Sequence, residues 1–156
     1  MQERSKDLFL EVMNQVLEQF AFVFVEEEVT APDLTGESSP VWAEVRFSGS
    51  GRAGSVALAA PGSLCREIAK NTLGEEGEDS LPPNAESVAL QEVANILCGN
   101  LLARMYGTEE PFTLHPPRGE IISGGDWWKM SASEDTAAVI VEGEPVLARF
   151  SETETG

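Results

Sequence analysis

Between Ser5 and Phe20 the apolar positions Phe9, Val12, Met13, Val16 and Phe20 recur at helical spacing, with Glu11, Asn14, Gln15 and Glu18 between them. That pattern predicts an amphipathic surface helix with one face on a core. The apolar run Phe20–Val25 then reads as a strand, ending before Glu26, Glu27 and Glu28. A loop rich in turn formers follows, with Ala31-Pro32-Asp33 and Gly36-Glu37-Ser38-Ser39-Pro40. Val41–Phe47 and Gly54–Ala60 are strand-like runs joined by Ser48-Gly49-Ser50-Gly51, the pattern of a β-hairpin. Ser63 is the candidate N-cap of a short helix that continues through Cys65, Ile68, Ala69 and Leu73 and stops at Gly74. The acidic stretch Glu75–Pro83, with Gly77 and Pro82-Pro83, reads as an exposed loop.

Asn84 is the expected cap of a long third helix, which Gly107 ends. Beyond it come Phe112–Leu114, the Pro116-Pro117 break, a short strand near Glu120–Ile122 and a turn at Gly124-Gly125. Trp127 and Trp128 read as partly buried sheet or loop packing, with a dimer contact as the alternative. Thr136–Glu142 and Pro145–Phe150, around Gly143-Glu144, form a second hairpin. The order helix, strands, helix, helix, strands predicts an α/β fold of the α+β type. Its sheet is mixed or antiparallel, with helices packed on one face. Residues 1–150 are expected to form a single domain, and the acidic tail 151–156 to fray.

Composition narrows the function. An apolar content of 42% over 156 residues supports one packed core. No apolar run approaches the roughly 18–20 residues of a membrane span, and no apolar segment follows the basic residues of the N-terminus as a signal peptide would require. Two cysteines and one histidine cannot build a zinc or redox motif. A cytoplasmic protein is expected. The net charge of −17, with its ten basic residues scattered singly, argues against nucleic acid and anionic membrane surfaces as partners.

The third helix is the unusual element. Leu90, Ala94, Leu97, Leu101 and Met105 share one broad face, with Val93 and Cys98 at its margins. The opposite face carries Glu92, Asn95, Gly99 and Ala103, edged by Val88, Ile96 and Tyr106. Its charges are only Glu86, Glu92 and Arg104, where a solvated face would hold many more. A mid-helix glycine costs about 1 kcal/mol relative to alanine, so Gly99 calls for a reason, such as close approach of another surface. Either a neighbouring element of the same chain, such as the Trp127 region, covers this face, or it is a docking surface. Glu92 and Asn95 lie three residues apart and project side by side. Glu11 and Asn14 repeat that spacing on an ordinary polar face, so spacing alone assigns nothing.

The setting does more. Glu92, Asn95, Gly99 and Asn100 fall in step with the E-x-x-N helix, followed by Gly-Asn, of the CheX-type members of the CheC/CheX/FliY chemotaxis phosphatases, and the chain resembles that family. The resemblance runs from Asp7-Leu8-Phe9 through the Phe47–Leu58 hairpin and the helix ending at Leu73-Gly74 to Pro116-Pro117, roughly residues 7 to 125. The family pattern has Asp or Ser four residues before the glutamate, where this chain has Val88. The family's downstream proline corresponds to Pro117, about one position early. A single motif copy matches CheX rather than the two-site CheC arrangement.

The resemblance implies a CheX/CheC-like fold, a homodimer, and hydrolysis of the phosphoaspartyl group of a phosphorylated CheY-like response regulator. It implies no cofactor of the chain's own, since the response regulator supplies Mg²⁺, the lysine and the phosphoryl pocket. Asn95 would then hold the attacking water and Glu92 pair with the partner's lysine. Val88, Ile96, Gly99 and Ala103 would form the docking surface around them. A non-catalytic adaptor that binds a response regulator or dimerises is the alternative, and an internally covered helix with structural Glu92 and Asn95 is a third. His115 beside two prolines reads as a surface or turn histidine, and Cys98 as an inert thiol at the core margin.

Overall fold

The computed structural model describes residues 3–30, 32, 39–73, 81–109 and 111–155. Helix α1 (Glu3–Val16) runs into a π-helical turn at Leu17–Ala21, followed by strand β1 (Val25–Val29). Then come β2 (Pro40–Gly49), β3 (Arg52–Pro61), α2 (Gly62–Leu73) and α3 (Ala85–Tyr106). β4 (Thr113–Leu114), β5 (Arg118–Ile121), α4 (Gly124–Ser131), β6 (Thr136–Val141) and β7 (Glu144–Glu154) complete the chain.

The strands form one antiparallel sheet in the order β1-β6-β7-β3-β2, with β4 and β5 sharing the outer edge of β2. Both long hairpins close through two-residue turns. Ser50-Gly51 has φ of 51° and 75°, and Glu142-Gly143 has φ of 50° and 78°. Positive φ at both central residues matches the right-handed twist of the flanking strands. Strand alternation sorts the core into two layers. Val45, Phe47, Val56, Leu58, Val139 and Phe150 point with their neighbours to the face covered by α1, α2 and α3. Ala57, Ala59, Ala138 and Leu147 point to the other face, where Trp127 and Met130 of α4 cover them.

The antiparallel sheet and the helices on one face are as the sequence predicts, and α4 adds a cover on the second face. Gly124-Gly125, expected as a turn, opens α4 instead. Ser123 caps it, its hydroxyl accepting from Asp126 N at 3.1 Å while the Asp126 carboxylate accepts from Ser123 N at 3.3 Å. This reciprocal box satisfies two otherwise orphaned amides. Trp127 is fully buried, and its ring N–H donates to Pro32 O at 3.3 Å. Trp128 is exposed.

Other expectations are corrected. The strand predicted at Phe20–Val25 lies further on, because the π-turn holds Phe20 and Ala21, and Phe22 has φ of 56°. Glu26, Glu27 and Glu28 therefore sit within β1, where an edge strand can solvate them. Ser63 lies inside α2 and its hydroxyl donates to Glu144, so it is no N-cap. Asn84 precedes α3 in the left-handed region (φ 60°), and its side chain makes no cap. Residues Ser151–Glu154 do not fray: β7 continues through them, paired with Arg52–Ser55 of β3. The loop residues Ala31 and Asp33–Ser38, the stop at Gly74, the acidic stretch 75–80 and the terminal Gly156 lie outside the described residues.

Candidate functional site

α3 is held on three sides. Its buried residues Leu90, Val93, Ala94, Leu97, Cys98 and Leu101 pack into the helix-side core, and Ala85, Ala89 and Leu102 widen that buried arc. Arg66 of α2 ties down its first turn through Glu86 at 3.0 Å. Arg104 reaches Glu11 of α1 at 3.3 Å. At its C-terminus the Tyr106 hydroxyl donates to Glu152 of β7 at 2.5 Å, and the Arg52 guanidinium stacks 4.7 Å from the ring centroid. Burial and that glutamate push the Tyr106 phenol up to about 12. Tyr106, expected at the margin of the outward face, is thus fastened to the sheet.

The side left open carries the predicted residues. Val88 and Glu92 are exposed, while Asn95, Gly99 and Ala103 are half-buried. Ile96 is half-buried too and leans on the core. Among the described residues, neither the Glu92 carboxylate nor the Asn95 carboxamide has a hydrogen-bond or ion-pair partner. The Trp127 region, considered as an internal cover, packs on the opposite face of the sheet.

One flank of this face is the edge segment 114–119. A Cβ at Gly119 would come within 2.7 Å of Ser87 Oγ and 2.8 Å of Gln91 Nε2, so β5 lies directly against the start of α3. A Cβ at Gly99 would meet only Leu114 Cδ2, at 3.8 Å, an ordinary contact. Among the described residues nothing therefore requires glycine at 99. Residues 87, 91, 95 and 99 form one helical stripe. Gly119 lies against Ser87 and Gln91, and Leu114 lies nearest Gly99, so the edge segment borders this stripe at both ends. The sequence does not reveal this flank, since Gly119 and Leu114 carry no motif of their own.

The arrangement offers an unpaired carboxylate and an unpaired carboxamide on a rigid helix, suited to holding a water or a donor of another molecule. Neither cysteine can serve as a nucleophile beside them. Cys98 and Cys65 are buried, and desolvation pushes each thiol up to about 12, so both are protonated at neutral pH. His115 Nε2 lies 3.3 Å from Ser48 Oγ. Arg118 and Arg46 meet on the buried Glu44 carboxylate, on the sheet face away from α3. Among the described residues no group of three or more His, Cys, Asp or Glu side chains could hold a metal ion. Because the pair has no partner among the described residues, alanine at Glu92 or Asn95 should change unfolding free energy by no more than about 0.5 kcal/mol in a denaturant titration.

An antiparallel sheet with three helices on one face, the longest carrying an E-x-x-N pair on its open side, fits the chemotaxis phosphatase class. The chain belongs to the family described as chemotaxis phosphatase CheX, whose model matches residues 41–142. No curated protein sequence matches it. Among solved structures, a chemotaxis protein CheX from Vibrio vulnificus is similar over 96% of each chain, with a TM-score of 0.70 at 15% identity. The CheX of a CheX-CheY-BeF3-Mg²⁺ complex from Borrelia burgdorferi is similar over 96% of this chain and 98% of that one, with a TM-score of 0.67 at 21% identity. A CheX from Desulfovibrio desulfuricans gives a TM-score of 0.68 at 16% identity over 96% and 99%.

Proposed function

We propose that the chain hydrolyses the phosphoaspartyl group of a CheY-like response regulator. The observation that carries this reading is the Glu92–Asn95 pair, which lies on the open side of the motif helix of a CheX-family chain without a partner among the described residues. The Borrelia relative of the same fold occurs with CheY, BeF3 and Mg²⁺, which supports a response regulator as the partner here. Such a partner places the reaction in the cytoplasm.

In this mechanism Glu92 pairs with a lysine of the regulator and sets the register of docking. Asn95 enters the regulator's site, where its carboxamide holds a water in line with the phosphorus. The gain comes from positioning, the main lever in phosphoryl transfer. The metal would belong to the regulator and, when bound there, would supply charge neutralisation for the phosphoryl group. Val88, Gly99 and Ala103 keep the surrounding surface low and uncharged.

Val88, in place of the family's Asp or Ser, favours one other reading, an adaptor that binds the regulator without speeding hydrolysis. Phosphate release from a panel of phosphorylated response regulators, with Mg²⁺ present, separates the two. Acceleration is the expected result, and binding without acceleration makes the chain an adaptor. We also propose a homodimer formed by pairing of sheet edges, which lie at β1 and at β4–β5. Sedimentation at micromolar concentration should give the dimer mass. A monomer there removes the dimer and leaves the catalytic reading intact.

A further inference from the structure

Val88 and Ile121 are large apolar side chains left in solvent, 52% and 72% exposed. Val88 stands one helical turn before Glu92, on the same open side of α3. Ile121 ends β5 and, with Val41, Gly62 and Ser87, lines a surface cavity of about 350 Å³ beside that turn. The charges on its rim, Arg66 and Glu86, are spent on each other at 3.0 Å. An ionic group entering the cavity therefore finds little to pair with, whereas an apolar one would cover aliphatic surface now in water.

We infer that the exposed apolar surface at Ile121 and Val88, on β5 and on the start of α3 beside it, receives an apolar side chain of the response regulator whose phosphoaspartate faces Asn95, and that this contact selects which regulator is accepted. The inference rests on the phosphatase reading. Continuity of surface names the occupant: a partner seated on Glu92 and Asn95 extends over Val88, one turn away, and meets Ile121 beyond it. Selection follows from the chemistry at position 88. Asp or Ser there would favour a donor or a cation on the partner. Valine leaves such a group desolvated and unpaired, and rewards an aliphatic or aromatic one.

The test measures affinity and phosphate release for a panel of receiver domains, with binding read on the Mg²⁺- and beryllofluoride-loaded forms. For the regulator that wild type binds best, Ile121→Ser should weaken binding about tenfold or more, raising KM while kcat at saturation falls much less. Val88→Asp should lose affinity for that regulator and gain it for regulators wild type rejects. Equal unfolding midpoints establish that the variants fold, and Ile121→Ser alone decides should Val88→Asp not fold. Unchanged regulator affinity in Ile121→Ser overturns the inference. So does dissociation of a homodimer by Ile121→Ser with regulator affinity intact, which would make this surface a self-interface. If wild type binds no regulator, the phosphatase reading fails and this inference with it.

Discussion

Asn95→Ala is expected to bind a phosphorylated response regulator within a fewfold of wild type, yet to lose about a hundredfold or more of the acceleration. A carboxamide that holds the attacking water is used only on the way to the transition state, so its removal lowers kcat and kcat/KM together and spares ground-state binding. The structure makes the substitution clean. Asn95 has no hydrogen-bond partner among the described residues, and the helix that carries it is held by burial and by the Arg66 and Arg104 ion pairs at its two ends. Titration with a Mg²⁺- and beryllofluoride-loaded regulator measures binding, and phosphate release measures turnover. An alanine variant that hydrolyses as fast as wild type removes the proposed role of Asn95.

The parts of the molecule that were legible in the sequence are those where one face is buried and the pattern has nothing to compete with. The β2–β3 hairpin reads from Val41, Ala43, Val45 and Phe47 facing Val56, Leu58 and Ala60 across a Ser50-Gly51 turn. α3 reads from its apolar arc and from Gly107, whose φ of 83° suits a helix end. Its open face is legible in the sequence, because Val88, Glu92, Asn95 and Gly99 fall together at helical spacing and the buried residues fall elsewhere.

The failures share a physical cause, in that local composition was overruled by partners distant in sequence. Phe20 to Val25 is apolar enough for a strand, but Leu17 and Ala21 are drawn into the helical core. The left-handed Phe22 then turns the chain so that Val23 is buried while Phe22 and Phe24 face solvent. Ser151–Glu154 look like a solvated tail. They are strand because β3 offers a free ladder, and because Arg52 and Tyr106 hold Glu152. α4 was hidden by its glycines; the readable signal was Ser123 and Asp126, a capping pair set three residues apart just before Trp127. At the site, Ile121 went unnoticed because its meaning depends on which helix β5 lies against, and only the Gly119 contact with Ser87 and Gln91 supplies that.

Glu92→Ala should fail differently from Asn95→Ala, losing binding as well as turnover. In the free chain Glu92 is exposed and unpaired among the described residues, so its removal leaves the fold untouched. In the proposed complex the same carboxylate would leave water and face a lysine of the regulator. Truncating one member of a desolvated ion pair strands the other, at a cost of about 2–5 kcal/mol, which corresponds to roughly thirtyfold to several thousandfold in Kd. Glu92→Gln offers a finer measure, since it keeps shape and hydrogen-bonding reach while removing the charge, and it should fall between wild type and alanine. Added salt should narrow the difference only slightly, because a buried pair is screened far less than a surface one. Affinity unchanged in Glu92→Ala would dismiss the ion pair as the docking anchor. A loss that vanishes at high salt would make Glu92 a long-range steering charge at the rim rather than a buried contact.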